Sequence, residues 1–179
     1  SVAALTRTQI LQIEHSFNAG TFAARVVAST LAPVEAVLSA GVGALAGQLH
    51  GGADEAALRE AQKVGNAAAA PTYVTDLLAR KGKLMGMGHR EYRKVDPRAK
   101  LLKPMAVEAA FAGEMAKCGK ELWANVEFYK GAVFKALGIP EAYFTALFAM
   151  ARSIGWLAHF IESREDNRII RPKALYVGR

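Results

Sequence analysis

A few histidine, arginine and glutamate side chains in this 179-residue chain stand where their neighbours would change what they can do. His50 lies between Gly47-Gln48-Leu49 and Gly51-Gly52, directly before a run from Ala53 with helical character. Glycines there allow close backbone approach to a ligand and unusual dihedrals. The positive end of a helix disfavours an imidazolium, so His50 is expected to stay neutral and donate an N–H hydrogen bond. A neutral donor suits an enolate oxygen better than it suits a metal; the alternative is a histidine that caps a helix turn. His89 follows Gly86-Met87-Gly88 and precedes Arg90, Arg93, Lys94 and Arg98. Glycine N–H groups beside these cations would attract carboxylate or phosphate, although a solvated surface turn has the same composition.

Arg152 stands inside Ala142 to Ile161, a stretch that is apolar on nearly every helical face, with Phe144, Phe148, Ile154, Trp156 and Leu157 among its residues. A helix apolar all round is expected to be buried. A buried guanidinium needs an anion or it is strongly destabilising, so Arg152 is expected to meet either a protein acid or a ligand carboxylate. Glu127 lies in Asn125-Val126-Glu127-Phe128-Tyr129, flanked by apolar side chains. Partial burial would raise its pKa towards neutral, which a general base can use. By pattern alone an ordinary surface glutamate is the commoner case. No metal site is expected: the histidines do not pair at i, i+4 and no Cys/His cluster occurs. Walker-type loops, a helix-opening GxGxxG and a nucleophile elbow are also missing from the sequence.

The elements that must hold these residues read as helices separated by Gly and Pro breaks, with no alternating strand of useful length. Helices are expected over Phe22–Ser29, from Pro33 towards Leu45, over Ala53–Val64 with Gly65 as its stop, and over Pro71–Leu78. Leu84 to Pro97 is expected to be a loop, punctuated by Gly86, Gly88 and Asp96-Pro97. Helical character resumes over Arg98–Ala116, Trp123–Gly138 and Glu141–Ser163, and the tail from Arg164 is polar and extended. The fold class expected is all-α.

Apolar residues make up 52% of the chain, enough for a real core. A net charge of +7 suggests an anionic partner. The basic residues are dispersed among acids, as in Arg90-Glu91-Tyr92-Arg93-Lys94-Val95-Asp96, which argues against a nucleic-acid tail. A single cysteine, Cys118, fits a reducing cytosol and excludes an internal disulfide framework. Ser1 to Gln9 lacks the pattern of a signal peptide, and no uninterrupted apolar stretch of membrane-spanning length is evident. A soluble, cytoplasmic protein is expected.

Five segments together are similar to the citrate synthase family. They are His15-Ser16-Phe17-Asn18-Ala19-Gly20-Thr21-Phe22-Ala23-Ala24-Arg25, Leu49-His50-Gly51-Gly52-Ala53, and Met85-Gly86-Met87-Gly88-His89-Arg90 running to Asp96-Pro97-Arg98. Asn125-Val126-Glu127-Phe128-Tyr129 and Arg152-Ser153-Ile154-Gly155-Trp156, running to Arg168-Ile169-Ile170-Arg171-Pro172, complete the set. The resemblance implies an acyltransferase that condenses acetyl-CoA, or a short acyl-CoA, with oxaloacetate to give citrate or a homologue plus CoA. It implies that His50 holds the thioester carbonyl, that His89 bonds the oxaloacetate carbonyl under attack, and that Glu127 stands at the position of the base. His15, Arg98 and Arg152 would hold the oxaloacetate carboxylates, and Arg171 would reach the active site of a partner in a homodimer. Met85, Gly86, Met87, Gly88 and Arg93 would cradle the CoA nucleotide, with no tightly bound cofactor. Residues 51–140 would form a small lobe, and residues 1–50 with 141–179 would form part of a large domain.

The sequence departs from the family at two points. The base is normally an aspartate, and the extra methylene of Glu127 moves the carboxylate by about a bond length, where a misplacement near 1 Å can cost about a hundredfold. Family members are also longer, so the chain reads as a fragment, a cleaved product or one of two polypeptides. A non-catalytic relative, a relative working in the cleavage direction like a citryl-CoA lyase, and a fragment inactive alone therefore stay open beside the synthase.

Overall fold

Two asparagines start the helices that matter most. Asn18 Oδ1 accepts the backbone N–H groups of Gly20 (3.0 Å) and Thr21 (3.1 Å), and Asn125 Oδ1 accepts those of Glu127 (3.1 Å) and Phe128 (3.2 Å). Each cap satisfies donors that the first helical turn would otherwise leave unpaired. A computed structural model of the chain describes residues 2–47, 49–65, 67–89, 92, 94–107 and 124–178. Its α-helices are α1 (Val2–Ile10), α2 (Ala19–Ser29), α3 (Val34–Leu45), α4 (Ala53–Val64), α5 (Ala70–Ala79), α6 (Pro97–Val107), α7 (Val126–Ala136) and α8 (Phe144–Glu165). No strand occurs among the described residues; Met87 and Ala124 form an isolated antiparallel bridge. The fold is all-α, as expected.

The helix boundaries follow local chemistry. Gly65, with φ +78°, ends α4, and Pro71 sits in the first turn of α5, where its missing N–H costs nothing. Helix α7 begins at Val126 because Asn125 caps it there, three residues later than the sequence suggested. Trp123 and the stretch 108–116 of the helix expected from Arg98 lie outside the described residues. Helix α1 was not anticipated. It is short, and it packs on α7 and α8 rather than relying on its own propensity.

Buried side chains gather in three groups. Ala24, Ala28, Val37, Leu45, Phe148 and Trp156 join α2, α3 and α8. Ala57, Ala99, Leu102, Val126 and Val133 join α4, α6 and α7, and Leu58, Phe134 and Phe144 link α4, α7 and the start of α8. Each large apolar side chain buried in this way contributes about 1.5–3 kcal/mol. Two glycines let the elements approach closely. A Cβ on Gly41 would lie 2.7 Å from the Trp156 ring, and one on Gly155 would lie 2.1 Å from the carbonyl oxygen of Ile13. Gly155 thus lets the connection between α1 and α2 run directly against α8, which brings His15 towards Arg152.

Helix α8 corrects one expectation. Its apolar residues are not all covered: Met150, Ile154, Leu157 and Ile161 form an exposed stripe, each at least 41% accessible. Hydropathy shows how apolar a helix is, but not how many of its faces find a partner. Together with the turn before it, Glu141–Glu165 has the length and composition of a membrane-crossing helix, as the core helix of a soluble protein also can. Its other face carries the buried Arg152 and packs on α2 and α3.

Candidate active site

His50 sits in the turn ahead of α4, where Gly51 donates its N–H to the carbonyl of Leu45 at 2.9 Å. A side chain on Gly51 would collide with that carbonyl, since its Cβ would be 2.1 Å away. The backbone N–H of Gly20, at the start of α2, donates to His50 Nε2 at 3.3 Å. That contact assigns the ring proton to Nδ1. Burial first, and then the positive charge of Arg152, lowers the His50 pKa below its ordinary value, with Glu127 opposing. His50 is therefore a neutral imidazole with Nδ1–H to donate.

His89 and His15 meet edge to face, with ring centroids 5.2 Å apart. Tyr92 organises both: its N–H donates to His89 Nδ1 at 3.2 Å, and its hydroxyl lies 3.1 Å from His15 Nε2. The Tyr92 contact leaves Nε2 of His89 to carry the proton. The pKa of His15 falls to about 4, from burial first and then from the charges of Arg98, His89 and Arg152. This imidazole is neutral at pH 7, and it has cations around it.

Those cations are differently engaged. Arg98 grips Asp96 twice, through Nε to Oδ1 (3.1 Å) and Nη2 to Oδ2 (2.8 Å), while its backbone N–H also bonds Oδ1 (2.9 Å). Burial alone would raise the Asp96 carboxyl, but these bonds and the Arg98 charge outweigh it and hold the pKa low. Arg152 is 1% exposed. Its Nε donates to the carbonyl of Gln12 at 2.6 Å, and its guanidinium lies 4.8 Å from the Phe148 ring centroid. Burial lowers its pKa to about 10, with Glu127 opposing and Arg98 adding to the fall, so it stays charged at neutral pH. A buried guanidinium satisfied by a carbonyl and a ring keeps its charge available to an anion.

Glu127 enters the same cluster from the first turn of α7. Its Oε2 lies 2.5 Å from Nζ of Lys130, which is fully buried. Burial would raise the glutamate, as the sequence suggested, but the net direction is the reverse. The Lys130 ammonium, by charge and hydrogen bond, and then Arg98 and Arg152, hold the carboxyl below its ordinary value. The expectation of a pKa raised towards neutral is corrected: Glu127 is ionised at pH 7.

The loop Met85–Gly88 is tied to the cap of α7. Asn125 donates its backbone N–H to the Gly86 carbonyl and its side-chain N–H to the Gly88 carbonyl, both at 3.0 Å. Both glycines have positive φ, and a Cβ on Gly86 would meet Ala57 at 2.7 Å, so glycine there serves packing and the turn. Arg93 lies outside the described residues. Arg171 is exposed in the extended tail, where Nη1 donates to the carbonyl of its neighbour Pro172 at 3.3 Å. It does not join the cluster within this chain.

The structure brings together His15, His50, His89, Arg98, Arg152 and Glu127. It adds Gln12, Tyr92, Asp96 and Lys130, which sequence reasoning did not single out. Lys130 carried a signal, because it is a charge one turn beyond Glu127 in the otherwise apolar Phe128 to Phe134. A charge in an apolar helix is as conspicuous there as it is at Arg152. Gln12 carried none.

The family model for the C-terminal domain of citrate synthase matches residues 1–173. Citrate synthase 2 of Bacillus subtilis is 40% identical over 190 residues, covering 99% of this chain and 51% of that protein. The 2-methylcitrate synthase of Shewanella oneidensis is 41% identical over 182 residues, covering 94% of this chain and 48% of that protein. Among solved structures, a ternary complex of citrate synthase from Thermoplasma acidophilum with carboxymethyl coenzyme A and oxaloacetate has a TM-score of 0.89 at 35% identity. It covers 99% of this chain and 52% of the solved one. The chain spans about half the length of the curated relatives it matches.

Proposed function

Because this chain belongs to the citrate synthase family, we propose that it supplies the catalytic part of an enzyme joining an acyl-CoA to oxaloacetate. The observation that carries this reading is the convergence of a neutral imidazole donor and an ionised carboxylate on one cluster of buried cations. Glu127 takes a proton from the acyl α-carbon, and Nδ1–H of His50 donates to the thioester oxygen as the enol forms. Nε2–H of His89 donates to the oxaloacetate carbonyl as the enol carbon attacks it. Arg152, Arg98 and His15 hold the oxaloacetate carboxylates. Water then cleaves the citryl thioester, giving citrate and CoA. The likeness to a 2-methylcitrate synthase supports a short acyl-CoA as well as acetyl-CoA.

Residues 51–140 form a lobe that closes over the rest and holds the CoA through Met85–Gly88 and Arg93. Arg171 completes the site of a partner chain in a cytoplasmic homodimer. Its exposure and its lack of a contact with the cluster in its own chain agree with this. The competing reading is a ligand-binding relative without turnover. The 2.5 Å contact of Lys130 with Glu127 favours that reading, because it weakens the base. Release of CoA thiol from acetyl-CoA in the assembled protein separates the two. Release that depends on oxaloacetate is expected, and oxaloacetate binding without any thiol release would support the competitor.

A further inference from the structure

Lys130 is an unexpected residue for the interior of this site. It is fully buried, and its ammonium touches the Glu127 carboxylate at 2.5 Å, donates to Gln12 Oε1 at 3.4 Å and stands 4.0 Å from the Phe148 ring centroid. Burying an ammonium is costly unless paired and hydrogen-bonded groups offset the loss of water. A lysine that only packed could be replaced by an apolar side chain at no loss. The contacts of Lys130 come from three directions: its own helix α7, the connection after α1, and α8. Gln12, 1% exposed, ties them together. Its side chain receives Lys130 while its backbone carbonyl receives Arg152.

We propose that Lys130 is a positioning residue for Glu127, drawing the longer glutamate side chain along α7 and fixing its carboxylate, with Gln12 anchoring the ammonium. The inference rests on the reading of Glu127 as the base. A glutamate has one more rotatable bond than an aspartate, and a charged hydrogen-bond partner at i+3 removes that freedom. The groups facing the carboxylate are Lys130 on α7, Arg98 on α6, Arg152 on α8 and His50 ahead of α4. Among them Lys130 makes the direct contact, and it has the largest effect in keeping the buried acid ionised.

An ionised base works above its pKa, so activity falls as pH drops through that value. Removing the ammonium leaves burial less opposed, which moves the acidic limb of kcat/KM to higher pH. The test measures kcat/KM against pH by CoA thiol release in the assembled protein, for the wild type, Lys130→Met, Lys130→Gln, Lys130→Arg and Glu127→Gln. Lys130→Met is expected to lose about a hundredfold in kcat at neutral pH, the scale for a misplaced group, with its acidic limb moved upward. Lys130→Arg is expected to keep the limb near its original place. If Lys130→Met loses its helical circular dichroism, Lys130→Gln decides, since it keeps a hydrogen-bond donor without the charge. An unmoved limb and unchanged kcat in the folded neutral variant would overturn the role of Lys130. Full turnover by Glu127→Gln would instead overturn the base assignment itself.

Discussion

Replacing His50 with alanine is expected to cut turnover by about a hundredfold or more, the scale for losing one donor to a developing oxyanion. Oxaloacetate affinity should stay close to that of the wild type. In the proposed reaction the thioester oxygen accepts from Nδ1–H weakly in the ground state and strongly once the enol forms, so the loss is expected in kcat more than in binding. The geometry is specific. Gly20 donates to Nε2 and leaves Nδ1 as the donor, while burial and Arg152 keep the ring neutral. Steady-state kinetics and oxaloacetate calorimetry on one preparation check both halves. A variant with near wild-type kcat would remove His50 from the chemistry.

Arg152→Leu should act on binding instead. Losing one partner of a buried charge pair costs about 2–5 kcal/mol, which is roughly thirtyfold to several thousandfold in oxaloacetate affinity. Arg152 also bonds the Gln12 carbonyl beneath the His15 segment. The substitution therefore removes a scaffold contact as well as a charge, and a melting curve should accompany the calorimetry. Unchanged affinity in a folded variant would take Arg152 out of the site.

What made Arg152 visible in the sequence was a charge inside an apolar helix, because burial and charge conflict wherever they occur. The same conflict at Lys130 was equally visible, and it reversed the expected direction of the Glu127 pKa. Reading only the apolar neighbours of Glu127 gave the desolvation half of the balance. The other half came from Lys130 three residues on, and from Arg98 and Arg152 on other helices. Helical composition with glycine and proline breaks located α2, α4 and α7 to within a few residues, since breaks are local events, while the Asn18 and Asn125 caps that set two of the starts went unread. Helix α1, held by packing on α7 and α8, gave no such signal. The exposed stripe of α8 was hidden for a related reason: composition records how apolar a face is, not what lies against it. The tautomers of His50 and His89 depend on single backbone N–H groups, from Gly20 and Tyr92. The Gly20 contact bridges 30 positions, and no local pattern encodes it.

In the proposed reaction Glu127 takes a proton from the acyl α-carbon within this cluster. The most direct measurement is solvent deuterium exchange into the methyl group of acetyl-CoA with an oxaloacetate analogue bound, comparing the assembled wild-type protein with Glu127→Gln. Exchange needs only the first step, so it is independent of condensation and thioester hydrolysis. The wild type should incorporate deuterium well above the uncatalysed rate, and Glu127→Gln should fall to background while still binding the analogue. Equal exchange by the two proteins would contradict the assignment of the base, and no exchange by the folded, ligand-bound wild type would contradict the enzyme reading altogether.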